Sequence, residues 1–468
     1  MVTLLDPTSL GFLTVESRQM PMHVGGLHLF ARPEDADDGY ERTLVNQLRT
    51  VPEMSPLYLR HPHRSARTAG QLVWETDRSF DIEHHVRHSA LPRPGGGREL
   101  LELVSRLHST RLPWERPLWE SHVIEGLSDG RVAIYHKIHH ALMDGVSAIR
   151  LLNVVLSDDP EERGMLAPWA LHPAPVEGAS RGPAGSTDLA HVSLTAVRSA
   201  LGLLAEAAGL PGALVRTLSR SVRDQPSTVS LHSPRTMLDR EFTGARRFAA
   251  QDWPVERLHA VARSSGTTIN DVVVAMTSGM LRRYLLQHDE LPRQSLVAMV
   301  PVGLKAKESH LPSADGGNAV GAVMVRMGTE IADPAGRLRA VHESMKAGKA
   351  ALASMTPLQI MAMSGLGQAQ AMLPVLWGAS GLTRPPYNVI VSNVPGPRQA
   401  KYFNGARLLG NYPASIPIPG AALNITCTSY DGKMCFGLTG CRRAVPRLQQ
   451  MLPFLDEELA LLEEAVGA

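Results

Sequence analysis

The 468-residue sequence holds only three cysteines, Cys427, Cys435 and Cys441, without CxxC spacing or a companion cluster of histidines. That argues against a disulfide framework and against a cysteine-based zinc site, and it fits reduced thiols in a cytosolic compartment. Neither sign of charge is in excess. A formal net charge of +2 creates no demand for a polyanionic partner, so no nucleic acid is expected. The opening MVTLLDPTSL lacks a basic segment followed by an apolar one, and no export signal is expected from it. Long apolar runs are also missing. The stretch from Ala350 to Thr383 carries no charge and is rich in methionine, but Gly365, Gly367, Pro374 and three glutamines interrupt it. It reads as a buried helix pair or as the wall of an apolar tunnel, not as a membrane span.

What remains is the composition of an ordinary globular chain. With 44% hydrophobic and 20% charged residues it is too apolar for disorder and too broken by charge for a polytopic membrane protein. At this length a single core would have split, so two are expected. The Pro/Gly/Ser/Ala-rich text from Leu171 to Ser186 reads as a linker. A helical pattern follows between roughly Asp188 and Val222, carrying Arg198, Arg216, Arg220 and Arg223. It reads as a packed crossover helix whose basic face suits anionic lipid headgroups as a second use. The resulting division is 1–170, 171–241 and 242–468, with no short-period repeat. Strand and helix signals mix in both folded parts, which makes the chain α/β. Val132 to Ile138 alternates as a strand beside Leu118 to Glu125. Leu423 to Tyr430, the Asp431-Gly432 turn and Met434 to Leu438 spell an antiparallel hairpin.

The strongest chemical signal is HHALMDG, where His139 and His140 end a strand and Asp144-Gly145 precede the helical pattern Val146, Ile149, Leu152, Leu156. Adjacent strand residues face opposite ways, so one histidine is expected to face the chemistry, and His140 is assigned that role. A neutral imidazole with a pKa near 6.5 can take a proton from a hydroxyl, and such general-base help is worth roughly 10²- to 10⁴-fold. Asp144 would cap the following helix or hold the loop, and Gly145 would permit a tight turn. His122, His136, His139 and His140 lack the one-face helical spacing of HExxH, and no metal is expected. The segment Gly126 to Gly130 fits G-x-S-x-G, but Ser128 lies between two strands, whereas a nucleophile elbow joins a strand to a helix. His84-His85 lacks a following Asp-Gly and reads as an ordinary polar strand or loop.

HHALMDG does not stand alone. Pro117-Leu118-Trp119, His139 to Gly145, Asn270-Asp271 and Ser392 to Pro397 occur in order, with further matching text at Pro21 to Phe30, Asp81 to His88 and Tyr412 to Leu438. Together they resemble the bacterial wax ester synthase/diacylglycerol acyltransferase family over nearly the whole chain, the linker from Leu171 to Ser186 being the poorly matched part. HHxxxDG by itself is shared with chloramphenicol acetyltransferase-like enzymes and peptide-synthetase condensation domains; the combination is far more specific. The resemblance implies two chloramphenicol acetyltransferase-like domains with mixed sheets and an active-site tunnel at their interface. It implies a long-chain acyl-CoA as co-substrate, no cofactor, and a fatty alcohol or diacylglycerol as acceptor. His140 would be the base in a direct attack without an acyl-enzyme, Asn270 an oxyanion contact, and His139, Asp144 and Gly145 the support of the loop. Thr268 to Asp271 fits a capping box, which keeps Asp271 structural. Pro117, Leu118, Trp119, Asn393 and Pro395 would be packing and domain-interface elements. A cytoplasmic protein in peripheral contact with the inner membrane face and lipid inclusions is implied, with a homodimer left open. The alternatives are a catalytically silent inclusion coat and a condensation-type acyltransferase for another acceptor.

Overall fold

The computed structural model describes residues 2–65, 68, 70–171, 233–240, 242–303, 320–356, 359–360 and 386–468. The expected linker beyond Leu171, the basic helical pattern, and the uncharged stretch apart from 350–356 and 359–360 lie outside them.

In the first part of the chain, strands β1 (Val2–Leu4), β2 (His23–Phe30), β3 (Arg60–Arg64), β4 (Leu72–Thr76), β5 (Val86–Ala90), β6 (Trp119–Glu125) and β7 (Val132–His139) alternate with helices α1 (Pro7–Val15), α2 (Tyr40–Arg49), α3 (Ile82–His85), α4 (Gly97–Ser109) and α5 (Gly145–Val155). The later part contributes β8 (Arg246–Pro254), β9 (Val297–Gly303), β10 (Val320–Arg326), β11 (Val389–Val394), β12 (Tyr402–Phe403), β13 (Ala406–Ala414), β14 (Leu423–Tyr430) and β15 (Lys433–Cys441). Its helices are α6 (Val255–Ser265), α7 (Ile269–Leu286), α8 (Pro334–Ala353) and α9 (Met451–Val466).

Two six-stranded sheets result, in the orders β12-β13-β2-β7-β6-β5 and β10-β9-β11-β14-β15-β8, beside a small β1-β4-β3 sheet. Both large sheets are mixed. β5 runs parallel to β6, and β11 parallel to β9 and β14, while the other pairs are antiparallel. Two strands from the later part, β12 and β13, complete the first sheet against β2. Phe248, Tyr412, Tyr430 and Cys435 accordingly share a core with Leu27, Val123 and Tyr135. The second core forms where Val272, Val273, Leu338, Val341, Leu455 and Leu459 of α7, α8 and α9 cover one face of the second sheet. All three cysteines are buried.

The expected hairpin forms as β14–β15, and Asp431 and Gly432 both take positive φ, 43° and 75°, as the two central positions of a primed turn require. Ser128 sits in the β6–β7 turn, its N–H bound to the Gly95 carbonyl at 2.9 Å. His84-His85 departs from the expectation. These residues end the short helix α3, which Asp81 caps by accepting from Glu83 N, and the buried His85 ring stacks on Trp119 with centroids 4.7 Å apart. A carbonyl partner, Trp119 O at 2.7 Å from Nδ1, makes that burial tolerable.

Candidate active site

The HHALMDG loop is built at the end of β7, where β2 and β6 flank it. His139 pairs with His23 across β2–β7, its N–H donates to Leu118 O at 2.9 Å, and His140 N–H donates to Met22 O at 2.8 Å. The Pro117-Leu118-Trp119 segment thus holds the strand that carries the histidines. Trp119 is fully buried and donates Nε1–H to Tyr58 O at 2.9 Å.

The two histidines face different surroundings, His139 as the last residue of β7 and His140 in the turn that follows it. His139 is completely buried. Its Nδ1 accepts from Ala141 N–H at 3.1 Å, which puts the ring proton on Nε2, 3.5 Å from Oε1 of Glu16. His140 keeps partial exposure and lies against the Phe12 ring, with centroids 4.2 Å apart. Burial by the surrounding protein pushes its pKa down to about 4, with the Asp144 carboxylate pulling the other way. The imidazole is therefore neutral at pH 7 and its lone pair is free to accept a proton. Its Nδ1 is buried with no hydrogen-bond partner among the described residues.

Asp144 caps α5, accepting from Ser147 N–H at 2.7 Å. Gly145 does not make the tight turn expected of it. Its φ is not positive, and a Cβ placed on it would meet nothing within 4 Å, so neither backbone freedom nor close packing calls for a glycine there.

Asn270 and Asp271 open α7, which packs on the second sheet. Thr268 and Asp271 form the expected capping box, and the buried Asp271 carboxylate also takes His342 Nδ1 at 2.9 Å. Asn270 is half-buried, and its side-chain amide has no hydrogen-bond partner among the described residues. Asn393 pairs with Cys427 across β11–β14, while Pro395 is exposed and so does not pack as expected. Among the described residues, no hydrogen bond or ion pair ties these four positions to the histidine loop. A surface cleft lined by Arg32, Glu41, Arg93 and Glu125 contains none of the site residues.

Sequence reasoning missed the segment that clasps the loop. Ser9 Oγ donates to Ala141 O at 2.7 Å, Phe12 covers His140, and Glu16 faces His139. Phe12 also packs on a cluster formed by Met20, Met22, Val297, Met299, Met324 and Ile390, which joins the N-terminal segment to β9, β10 and β11 of the second sheet. His140 therefore lies beside an apolar, methionine-rich seam between the two sheets. A signal for Glu16 was present: it is the first charged residue after the nine-residue uncharged helix α1.

The first condensation domain of the CDA synthetase shares this fold at 16% identity and a TM-score of 0.57, covering 100% of this chain and 97% of that one. The chain belongs to the wax ester synthase/diacylglycerol acyltransferase family: the family's catalytic-domain model matches residues 5–273 and its C-terminal-domain model residues 316–463. The wax ester synthase/diacylglycerol acyltransferase from Marinobacter aquaeolei VT8 is similar over 100% of both chains, at 39% identity and a TM-score of 0.78. A Mycobacterium tuberculosis H37Rv relative named as a putative diacylglycerol O-acyltransferase is 44% identical over 99% of this chain and 100% of its own. A Mycobacterium bovis relative of the same name is 42% identical over 99% of each. The protein is an acyl-CoA-dependent acyltransferase.

Proposed function

We propose that the protein transfers a long-chain acyl group from acyl-CoA to a lipid alcohol, with diacylglycerol, a fatty alcohol or both as acceptor. His140 takes the hydroxyl proton on Nε2 while the alcohol oxygen attacks the thioester carbonyl carbon. The carbon–sulfur bond then breaks and the coenzyme A thiolate leaves with that proton, so no acyl-enzyme forms. Asn270, whose amide is otherwise uncommitted, supports the oxyanion of the tetrahedral intermediate, a contact of a kind worth several kcal/mol, about 3 in a measured case.

The observation that carries this reading is a neutral, partly exposed His140 set against an apolar seam. An imidazole with a depressed pKa is a weak base but is fully available, and it works by proton transfer concerted with attack. The methionines of the seam suit a flexible acyl chain. The names of the mycobacterial relatives favour diacylglycerol, and that of the Marinobacter enzyme includes both acceptors. Peripheral contact with a membrane or lipid inclusion is part of the proposal. Leu4 and Leu10 are exposed on the N-terminal segment beside the loop, and no described helix is long and apolar enough to cross a bilayer.

The test is thiol release from palmitoyl-CoA by the purified protein with hexadecanol, with dipalmitoylglycerol and without acceptor, beside His140→Ala. Acceptor-dependent release that drops about 10²-fold or more in the variant is the expected result. Undiminished release by His140→Ala would remove the base from the mechanism, and no release with any acceptor would remove the reaction.

A further inference from the structure

Glu16 lies outside HHxxxDG and about 120 residues from it in sequence, yet its carboxylate is the partner of the first histidine of that motif. The side chain is fully buried. Oε1 faces Met22 N–H at 3.2 Å and His139 Nε2 at 3.5 Å; Oε2 accepts from Trp114 Nε1–H at 2.6 Å and has Arg111 Nε at 3.9 Å. Burial alone would raise its pKa, but the donors from His139, Trp114 and Met22 outweigh it and keep the group ionised. A buried carboxylate is a costly way to fill a core, and an apolar residue of similar volume would generally stabilise as well or better. All its contacts are donors, and one of them belongs to the strand end that presents His140.

We propose that Glu16 is a positioning residue of the acyl transfer: its carboxylate lies 3.5 Å from His139 Nε2, short of a hydrogen bond, and orients that ring by charge, so that Nδ1 receives Ala141 N–H and the loop keeps His140 aimed at the substrate hydroxyl. The inference rests on His140 acting as the base. The same N-terminal segment adds two further grips, Ser9 on the Ala141 carbonyl and Phe12 on the His140 ring. Glu16 touches no reacting atom. Its effect passes through His139, and loss of it lets the loop shift by a fraction of an ångström to an ångström, a scale on which rates fall up to about 10²-fold.

Glu16→Gln is nearly isosteric and removes the essential property. A carboxamide has one acceptor oxygen, so its NH₂ must confront donors, either Trp114 and Arg111 or Met22 and His139. His139→Asn removes the other end of the contact while its Oδ1 can still mimic Nδ1 toward Ala141. Steady-state kinetics of both single variants, the double variant and His140→Ala with palmitoyl-CoA and dipalmitoylglycerol test the proposal. Each single variant is expected to lower kcat roughly 10- to 100-fold, with KM for palmitoyl-CoA within about threefold of the parent and near-parental melting. The double variant should lose no more than the worse single one, because the two residues act as a unit. Losses that multiply in the double variant, or that appear in KM and melting temperature and leave kcat intact, would overturn the positioning role. If Glu16→Gln does not fold, His139→Asn with undiminished kcat overturns it by itself. Activity retained by His140→Ala would instead fell the underlying reading, whereas an inactive His140→Ala beside fully active Glu16→Gln and His139→Asn fells this inference alone.

Discussion

Acidification should separate the stability of this protein from its chemistry. His85 and His108 are 1% and 2% exposed. Burial depresses their pKa values to about 4 and about 3, against the carbonyls of Trp119 and Ser415, which favour the protonated form. Unfolded, both titrate near 6.5. The unfolded chain therefore binds more protons than the folded one below pH 6.5, and stability declines as pH falls until the folded values are passed. At pH 5.5 an unfolded histidine is about 90% protonated, which draws about 1 kcal/mol per residue toward unfolding, or roughly 2 to 3 kcal/mol for the pair. Glu120 acts in a different window. Its pKa is held down to about 2 because His122, Lys137 and Arg87 overcome the raising effect of burial, so its stabilisation is complete above pH 4.5 and is lost only below it. Urea unfolding at pH 7.5 and 5.5, followed by tryptophan fluorescence, should show the loss, since Trp119 stacks on His85 and on Trp169. His28, His136 and His140 are depressed by burial in the same way and add to the loss, so His108→Gln should shrink the pH difference only by its own share, about 1 kcal/mol. Activity per folded molecule should stay level over the same range, because His140 titrates near 4. Equal stability at the two pH values would refute the burial argument, and an acid limb of kcat/KM at pH 6 to 7 would refute the neutral base.

Asp144→Ala removes the cap of α5 and the one carboxylate that supports protonation of His140. It should cost about 1 kcal/mol in thermal or urea unfolding and move the acid limb of kcat/KM further down, not up. Gly437→Ala probes the junction of the two sheets, where a Cβ on β15 would stand 1.8 Å from Pro413 O of β13. Backbone cannot yield as a side-chain tip does, so a loss of about 2 to 3 kcal/mol or more is expected in unfolding, and an unchanged midpoint would show that the sheets part easily there.

Much of the fold was legible because its signals are local. The period-two runs became β7 and β14, Asp431-Gly432 made its turn, and Thr268 with Asp271 capped α7, each decided by neighbours a few residues apart. The histidine loop was legible for the same reason, since Asp144 announces α5 three residues before its partner Ser147. Gly145 misled because a glycine in a motif reads as backbone freedom, whereas here its φ is not positive and a Cβ would fit. His84-His85 misled because their helix depends on the remote Trp119, whose ring and carbonyl receive His85. The boundary drawn at 242 could not anticipate β12 and β13 joining the first sheet, because strand exchange between sheets leaves no mark on hydrophobic periodicity.

The clasp around the loop was hidden for a deeper reason. Ser9 meets Ala141 across 132 residues, and Glu16 meets His139 from the segment just before β2, which pairs with β7 with His23 opposite His139. Side chains alternate with a period of two, so a slip of one residue in that pairing would reverse the faces of β2 against β7. Residues opposite one another in this pairing include Leu27 and Tyr135, both buried in the first core. A slip would expose one of such a pair. The same apolar packing that stabilises the first sheet thus selects the register that assembles the site, and core substitutions in β2 should disturb catalysis before they unfold the protein.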